Sequence, residues 1–187
     1  MKLYEKTLEQ TYVHKGKILN LRVDRAELPN GKECVREVVE HDGGVTIAAL
    51  TDENELLFVR QYRYPYSEIV MELPAGKLER GENPFKAGVR ELKEETGASA
   101  SEYIDLGRYY PSPGYCGETI YMYGATGLSF SEQELDEDEF LEIEKIPLMK
   151  AVEMVLNNEI PDGKTQTAVL KMAMRVWYAS GGAESEV

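Results

Sequence analysis

The sequence has little of what marks secreted, membrane-spanning or nucleic-acid-binding chains. Its 187 residues include two cysteines, too few for a disulfide framework, so we expect reduced thiols in a cytoplasmic protein. No apolar run reaches membrane-spanning length, and the start, MKLYEKTLEQ, lacks the apolar core of a secretory signal. Basic residues are few, with 21 Lys and Arg against 34 Asp and Glu. The net charge of −13 argues against binding nucleic acid or an anionic membrane, because both need a basic surface.

Hydrophobic residues make up 42% of the chain, enough for the substantial core of one enzyme domain with an appendage. Residues 3–40 have the pattern of an antiparallel strand ribbon, with turns near 14–16 and 29–32. Later segments predict further strands at 45–50, 55–62, 69–73, 103–109, 119–126 and 142–146. Amphipathic helices are predicted at 147–157 and 165–178. The order indicates an α/β chain whose strands are interrupted by one central helix.

That central helix is predicted from its two ends. Asn83 followed by Pro84 is typical of a helix start, because an Asn side chain caps free N–H groups and Pro suits the first helical position. Gly97 supplies the left-handed residue that ends a helix. Apolar and small residues at helical spacing predict the inward face: Phe85, Gly88, Val89, Leu92 and Thr96.

The same helix carries a group of carboxylates. Glu91, Glu94 and Glu95 stand at i, i+3 and i+4, so their side chains share a neighbouring face. Like charges at this spacing cost roughly 0.2–0.5 kcal/mol per pair. An acidic helix face is usually just solvated, which is the alternative interpretation. We expect instead that these carboxylates hold divalent cations.

The window from Gly76 to Ala98, GKLERGENPFKAGVRELKEETGA, resembles the Nudix box, G-x5-E-x7-R-E-U-x-E-E-x-G-U, in which U is a bulky aliphatic residue. The matching positions are Gly76, Glu82, Arg90, Glu91, Leu92, Glu94, Glu95 and Gly97. Only Ala98 departs from the pattern, at a packing position. The resemblance implies an α/β/α sandwich with a mixed sheet over residues 41–180, an N-terminal antiparallel strand ribbon over 1–40 and a disordered tail over 181–187.

The resemblance also implies metal-dependent hydrolysis of a nucleoside diphosphate linked to another group. The cations, Mg²⁺ with Mn²⁺ as a substitute, would neutralise the phosphates and lower the pKa of a bound water. Glu82 and Arg90 are expected to support the helix and orient ligands, with a structural ion pair as the alternative. The implied metal ligands are Glu91 and Glu95, helped by Glu94 and the backbone carbonyl of Ala75.

One loop residue narrows the choice of substrate. Pro113, in an SPG sequence, lies fifteen residues beyond Ala98, and this position is similar to the ADP-ribose pyrophosphatase branch of the family. Turn geometry alone also accounts for a proline in a loop. The resemblance implies hydrolysis of ADP-ribose to AMP and ribose 5-phosphate. Another substrate, such as GDP-mannose or NADH, and a non-catalytic ligand sensor of the same fold remain the alternatives.

Arginines provide candidate contacts to that substrate. Arg60 and Arg63 lie among three tyrosines in FVRQYRYPY, residues 58–66, and a diphosphate favours guanidinium contacts while adenine favours an aromatic face. The resemblance implies that Arg63 and Arg36 contact substrate. Glu118, in the same loop as Pro113, is a further candidate. An exposed sheet edge is the alternative for the Arg and Tyr cluster.

A general base is expected outside the box, because carboxylates that hold a cation lose basicity. The acidic segment LDEDEF, residues 135–140, precedes a late strand, where the resembled branch places such a residue. We predict Glu139 as the base, with Glu137 in reserve and Glu118 as a rival. A solvated acidic loop is the alternative.

The ribbon of residues 1–40 has too few apolar residues to be stable alone. Its apolar residues include Leu3, Tyr12, Ile18, Leu21 and Val23. The resembled branch exchanges this region between two subunits, so we expect a homodimer.

Overall fold

The structure, a computed structural model, describes residues 3–135 and 140–182. The chain forms two compact units, and no described helix is long and apolar enough to cross a membrane. The first unit contains Met1–Gly43 and Tyr110–Thr119, and the second contains Gly44–Tyr109 and Ile120–Val187.

The first unit is built on a three-stranded antiparallel sheet in the order β1-β2-β3. Its strands are β1 (Lys6–Lys15), β2 (Leu19–Glu27) and β3 (Glu33–His41). Both hairpin turns lie where the sequence predicts them, so the N-terminal antiparallel ribbon is confirmed. Every residue of β1 is exposed, as expected for a sheet with little core of its own.

Residues 110–119 belong to this first unit. The Val39 N–H donates to the carbonyl of Tyr115 (2.8 Å), and the Gly117 N–H donates to the carbonyl of Val39 (2.9 Å). The loop of residues 110–119 is therefore tied to β3. The predicted boundary at residue 40 did not include this segment, because hydrogen bonds between distant segments leave no local sequence signal.

The second unit contains seven strands and three helices among its described residues. Strands β10-β5-β6 form an antiparallel sheet, and β7-β4-β9-β8 form a mixed sheet in which β4 and β9 are parallel. The elements are β4 (Gly44–Ala49), β5 (Glu55–Arg63), β6 (Glu68–Glu72), β7 (Ala75–Lys77), α1 (Pro84–Thr96), β8 (Ala98–Tyr109), β9 (Ile120–Phe130), β10 (Leu141–Pro147), α2 (Leu148–Leu156) and α3 (Gly163–Ala179).

Alternate residues of β4 pack against different helices, as the two-residue period of a strand requires. Ile47 belongs to a buried cluster with Leu92 of α1. Its neighbour Ala48 belongs to a second cluster with Ala151 of α2 and Val169 of α3. Helices therefore cover both faces of the sheet layer, and the predicted α/β/α sandwich is confirmed.

Some local predictions need correction. Strand β8 begins at Ala98, directly after the central helix and not at residue 103, and the three-residue strand β7 pairs with β4 without having been predicted. Phe85, assigned to the inward face of the helix, is 40% exposed and lies edge-on to Tyr103 at 5.1 Å between ring centroids. Its position near the helix start places it at the rim of the packed face. Residues 183–187 of the predicted tail lie outside the described residues.

Candidate active site

The central helix α1 begins and ends as its sequence predicts. The Asn83 side chain accepts hydrogen bonds from the N–H groups of Phe85 (3.0 Å) and Lys86 (3.2 Å), and Pro84 occupies the first turn. At the other end Gly97 has φ +68°, and its N–H donates to the carbonyl of Lys93 (2.8 Å). These local caps set the helix limits, and the limits set which side chains face the sheet.

Two of the three helix carboxylates face inward. Glu91 and Glu95 are only 6% and 2% exposed, and they lie one turn apart on the buried side of α1 with Leu92 between them. Glu94 is half-buried. Burying two carboxylates on one helix is unfavourable unless compensating charge or hydrogen bonds are provided, so the partners of this pair matter to the unit.

Strand β7 lies against these two carboxylates. The Ala75 N–H donates to Oε2 of Glu95 at 2.9 Å. A Cβ added to Gly76 would overlap the carboxylate of Glu91, so a glycine is required for this approach. The first glycine of the sequence motif and its first helical glutamate are therefore packing partners.

Pro74, the residue before β7, ties the backbone to β4. The carbonyl of Pro74 accepts the N–H of Ile47 (2.9 Å) and the hydroxyl of Thr46 (3.0 Å). Since Thr46 and Ile47 are fully buried in β4, the backbone beside Glu91 and Glu95 is anchored in the core of the sheet.

Arg90 binds the carboxylates around it. Its Nη1 lies 2.8 Å from Oε2 of Glu94 and 2.9 Å from Oε1 of Glu91, and Glu82 lies 3.4 Å from its Nε. Burial lowers the pKa of Arg90, but attraction to Glu91 and hydrogen bonds to Glu82 and Glu94 outweigh it, so the pKa is raised. A hydrogen bond from the Glu79 N–H (3.0 Å) is the main cause of the lowered pKa of Glu82. The ion pair considered for Glu82 and Arg90 is present.

Carboxylate oxygens are the ligands that Mg²⁺ and Mn²⁺ favour, and Glu91 and Glu95 supply them at a site with little solvent. In the described part of the chain, no three acidic, His or Cys side chains are gathered into a ready-made metal centre. Arg90 contacts both Glu91 and Glu94. The donor chemistry fits a hard divalent cation, and the ligand roles of these residues and of Ala75 stay predictions.

A second charged cluster lies on β5, β6 and the start of α3. Arg63 donates from Nε and Nη2 to the two carboxylate oxygens of Glu72, each at 2.6 Å. Lys164 also contacts Glu72, and its Nζ lies 3.0 Å from Oδ2 of Asp162. Burial raises the pKa of Glu72, but Arg63 and Lys164 outweigh it and the pKa is lowered. Attraction to Glu95 is one of the causes that raise the pKa of Arg63, after the hydrogen bond to Glu72, and Ala75, three residues beyond Glu72, donates its N–H to Glu95.

The sequence analysis missed Glu72, Asp162 and Lys164. One signal was available: Glu72 is an acidic residue within the otherwise apolar sequence IVMEL of residues 69–73. No local sequence pattern relates Lys164 to Glu72 or to Arg63.

The structure separates the two predicted arginines of β5. Residues three apart in a strand lie on opposite faces. Arg63 contacts Glu72, whereas Arg60 lines a cavity of about 340 Å³ with Met71, Asn158 and Pro161. The three neighbouring tyrosines, Tyr62, Tyr64 and Tyr66, are exposed.

The remaining substrate candidates lie in the first unit. Arg36 donates to both oxygens of Glu5, at 2.9 Å from Nε and 2.6 Å from Nη2. Pro113 lies in a turn closed by a hydrogen bond from the Cys116 N–H to the Ser112 carbonyl (2.9 Å). Oε1 of Glu118 is 3.4 Å from Nδ1 of His41.

The proposed bases Glu137 and Glu139 lie outside the described residues. The segment just before them runs along the last turn of α1. The Glu134 N–H donates to the carbonyl of Glu94 (3.1 Å), and the Gln133 side chain donates to the carbonyl of Glu95 (2.6 Å). Gln133 and Glu134 therefore lie beside the helix that carries the candidate metal ligands.

Comparison with known proteins matches both parts of the chain. Residues 40–167 match the NUDIX domain, and residues 5–39 match the nucleoside diphosphate sugar hydrolase N-terminal domain. The chain is 41% identical to an ADP-ribose pyrophosphatase of Bacillus subtilis (strain 168) over 175 residues, covering 92% of this chain and 95% of the relative. It is 42% identical to a methanol dehydrogenase activator of Bacillus methanolicus over 167 residues, covering 88% and 90%. A crystal structure described as an ADP compounds hydrolase matches with TM-score 0.82 and 23% identity, over 97% of this chain and 98% of that one, which supports the fold.

Proposed function

Because this chain belongs to the NUDIX domain family, we propose that it hydrolyses the diphosphate bond of ADP-ribose, giving AMP and ribose 5-phosphate. The observation that carries the proposal is the pair of buried carboxylates, Glu91 and Glu95, packed against Ala75 and Gly76. The 41% identity to an ADP-ribose pyrophosphatase across 92% of the chain supports the choice of substrate.

Divalent cations would be held by Glu91 and Glu95, with Glu94 and the carbonyl of Ala75 as further ligands, and Mg²⁺ is the expected ion with Mn²⁺ as a substitute. Bound there, the ion supplies Lewis-acid charge that neutralises the diphosphate and activates water. Arg90 pairs with Glu91 and Glu94 and keeps their carboxylates oriented. Strand β7 presents its backbone to both inward carboxylates, since Pro74 is anchored to β4.

The substrate brings negative charge to a chain whose net charge is −13, so local cations are required. Arg63 is the proposed diphosphate contact in the second unit. Its side chain is 37% exposed, and its guanidinium has more N–H donors than the bidentate contact to Glu72 uses. Arg60, and Arg36, Pro113 and Glu118 of the first unit, remain proposed substrate contacts.

Glu139 is the proposed general base, with Glu137 in reserve. Support comes from the preceding segment, where Glu134 is hydrogen-bonded to the backbone of Glu94. A base on a separate segment can take a proton from water while the helix carboxylates hold the cation.

A homodimer formed through β1–β3 is also proposed. Large apolar side chains of the sheet are exposed, including Tyr12 (44%), Val13 (56%) and Val35 (60%). An exposed patch of this kind is typical of a subunit interface. Cys34 and Cys116 are free thiols, which supports a cytoplasmic location.

The test is a substrate panel of ADP-ribose, GDP-mannose and NADH, assayed with Mg²⁺, with Mn²⁺ and with a chelator. A phosphatase added after the reaction releases inorganic phosphate from the monoester products and not from an intact diphosphate. We expect metal-dependent turnover with the highest kcat/KM for ADP-ribose. A higher kcat/KM for GDP-mannose or NADH would reassign the substrate. Binding without any turnover would favour the ligand-sensor alternative.

A further inference from the structure

The first turn of α3 carries a half-buried lysine to which the proposed mechanism gives no role. The Lys164 side chain is only 11% exposed, and its Nζ lies between the carboxylates of Glu72 and Asp162, 3.0 Å from Oδ2 of Asp162. Glu72 is the same carboxylate that receives the bidentate contact of Arg63. A lysine rarely loses this much solvent unless its charge is matched, so its position reflects a specific electrostatic role.

We propose that Lys164 is a positioning residue for the diphosphate: by sharing Glu72 with Arg63, it keeps the guanidinium charge of Arg63 available to substrate. This inference rests on the proposed hydrolysis of a nucleoside diphosphate. According to this proposal, the start of α3 affects substrate affinity through Lys164, Glu72 and Arg63, none of which belongs to the sequence motif.

Charge balance is the first argument. The cluster contains two cations, Arg63 and Lys164, and two carboxylates, Glu72 and Asp162, so it is neutral as a whole. Without Lys164 the two carboxylates would face a single guanidinium, and the cluster would carry a net negative charge close to Glu95. A negative cluster repels an anionic diphosphate, and partial burial weakens solvent screening of that repulsion.

Geometry is the second argument. Thr165, next to Lys164, accepts a hydrogen bond from the Leu73 N–H at 2.9 Å, and both groups are buried. Asp162 caps the same helix by accepting the Thr165 N–H at 2.9 Å. The start of α3 is therefore attached to the backbone directly after Glu72, and Lys164 is held at a fixed distance from the Glu72 carboxylate.

The segment from Glu72 to Gly76 links this cluster to the helix carboxylates. Leu73 bonds to α3, and the Ala75 N–H bonds to Glu95 of α1. Arg63 and Glu95 are thus oriented by the two ends of one short segment. A change of charge at Lys164 is expected to act on diphosphate affinity more than on the chemical step, because the carboxylates of α1 keep their own contacts.

The experiment compares wild type with Lys164→Met and Lys164→Arg at saturating Mg²⁺, measuring kcat and KM for ADP-ribose and competitive inhibition by ADP and by adenosine. Removing the charge in Lys164→Met should raise KM by about tenfold with kcat within about threefold. ADP inhibition should weaken by the same factor, whereas inhibition by uncharged adenosine should not change. Lys164→Arg should restore KM to within about threefold of wild type.

Lys171→Met is the matched control, since it removes a lysine charge from the same helix at a side chain that donates to the carbonyl of Leu106 (2.6 Å) and not to Glu72. Its KM should stay within about twofold of wild type. Thermal unfolding of each variant verifies folding. If Lys164→Met does not fold, Lys164→Gln carries the same test, because an amide can donate to Glu72 without the charge.

An unchanged KM in the uncharged variant of an active enzyme would overturn this inference and leave the proposed function standing. Equal weakening of ADP and adenosine inhibition would also overturn it, since a general distortion of the site is then the cause. A wild-type protein without turnover on any diphosphate would overturn the proposed function and this inference together.

Discussion

The carboxylate of Glu91 occupies the space that a side chain at residue 76 would need, so Gly76 and Glu91 form one packing unit. They lie fifteen positions apart in the sequence, one on β7 and the other on α1. The glycine at residue 76 thus allows the backbone of β7 to approach the Glu91 carboxylate.

Gly76→Ala should therefore displace the Glu91 carboxylate. The nearest atoms are the end of a flexible side chain, so the protein should fold with little loss of stability. We expect the Mg²⁺ concentration for half-maximal activity to rise by about 10–100-fold. A titration of activity against Mg²⁺ measures this.

Gly88→Ala, where α1 packs against β4, is the contrasting variant. Its Cβ would lie 2.7 Å from Cδ1 of Ile47, so it should destabilise the core by about 1–3 kcal/mol and leave the metal requirement unchanged. If Gly76→Ala keeps the wild-type Mg²⁺ dependence, Glu91 is not a metal ligand in the position described.

Glu95→Gln tests the second inward carboxylate. The amide oxygen can still accept the Ala75 N–H, so the fold should be retained, while the charge that would hold a cation is lost. We expect turnover to fall by at least about two orders of magnitude. Glu102→Gln, at an exposed position of β8, should have wild-type turnover. Near-normal turnover of Glu95→Gln at low Mg²⁺ would remove Glu95 from the metal site.

Glu72→Gln should change how stability depends on pH. The folded-state pKa of Glu72 lies below its ordinary value of 4.5, so its contribution to stability is present above the unfolded-state pKa and is lost as the pH falls through the folded-state pKa. Wild type should exceed the variant by roughly 1–3 kcal/mol in unfolding free energy at about pH 7, and the gap should narrow below about pH 4. Urea unfolding across this range measures it, with Glu68→Gln, exposed on the same strand, as the control. A gap that does not vary with pH would mean that Glu72 is not ionised in the fold.

Glu139→Gln and Glu137→Gln separate the candidate bases. The variant of the true base should lose kcat far more than substrate affinity, and its rate should partly recover at high pH as hydroxide replaces the assisted water. Profiles of kcat against pH with ADP-ribose and Mg²⁺ provide the measurement. If both variants keep wild-type kcat, Glu118 becomes the leading candidate, and Glu118→Gln is assayed in the same way.

The exposed apolar side chains of β1–β3 predict a dimer in solution. Sedimentation velocity should show a dimer at assay concentrations, and Val13→Glu should shift it toward monomer, because a charge would be buried at the interface. A wild-type monomer that is fully active at those concentrations would contradict the prediction.

The sequence alone predicted the limits of α1 and the strand ribbon, because each depends on local chemistry, whereas the layered α/β/α fold was implied by the resemblance to the Nudix box. Asn83, Pro84 and Gly97 act on backbone groups within a few residues, and strand and helix periods are readable without knowing what they pack against. The spacing of the acidic motif is local in the same sense, since it lies on one helix and the turn before it.

Only the tertiary structure decided how the charged residues are paired. It placed Glu91 and Glu95 inward, because the packing of α1 on the sheet selects which side of the helix is buried. It also joined Glu72 to Lys164 across 92 positions of sequence. Contacts between residues so far apart in sequence depend on where α3 packs against the sheet, and no local sequence pattern predicts that position.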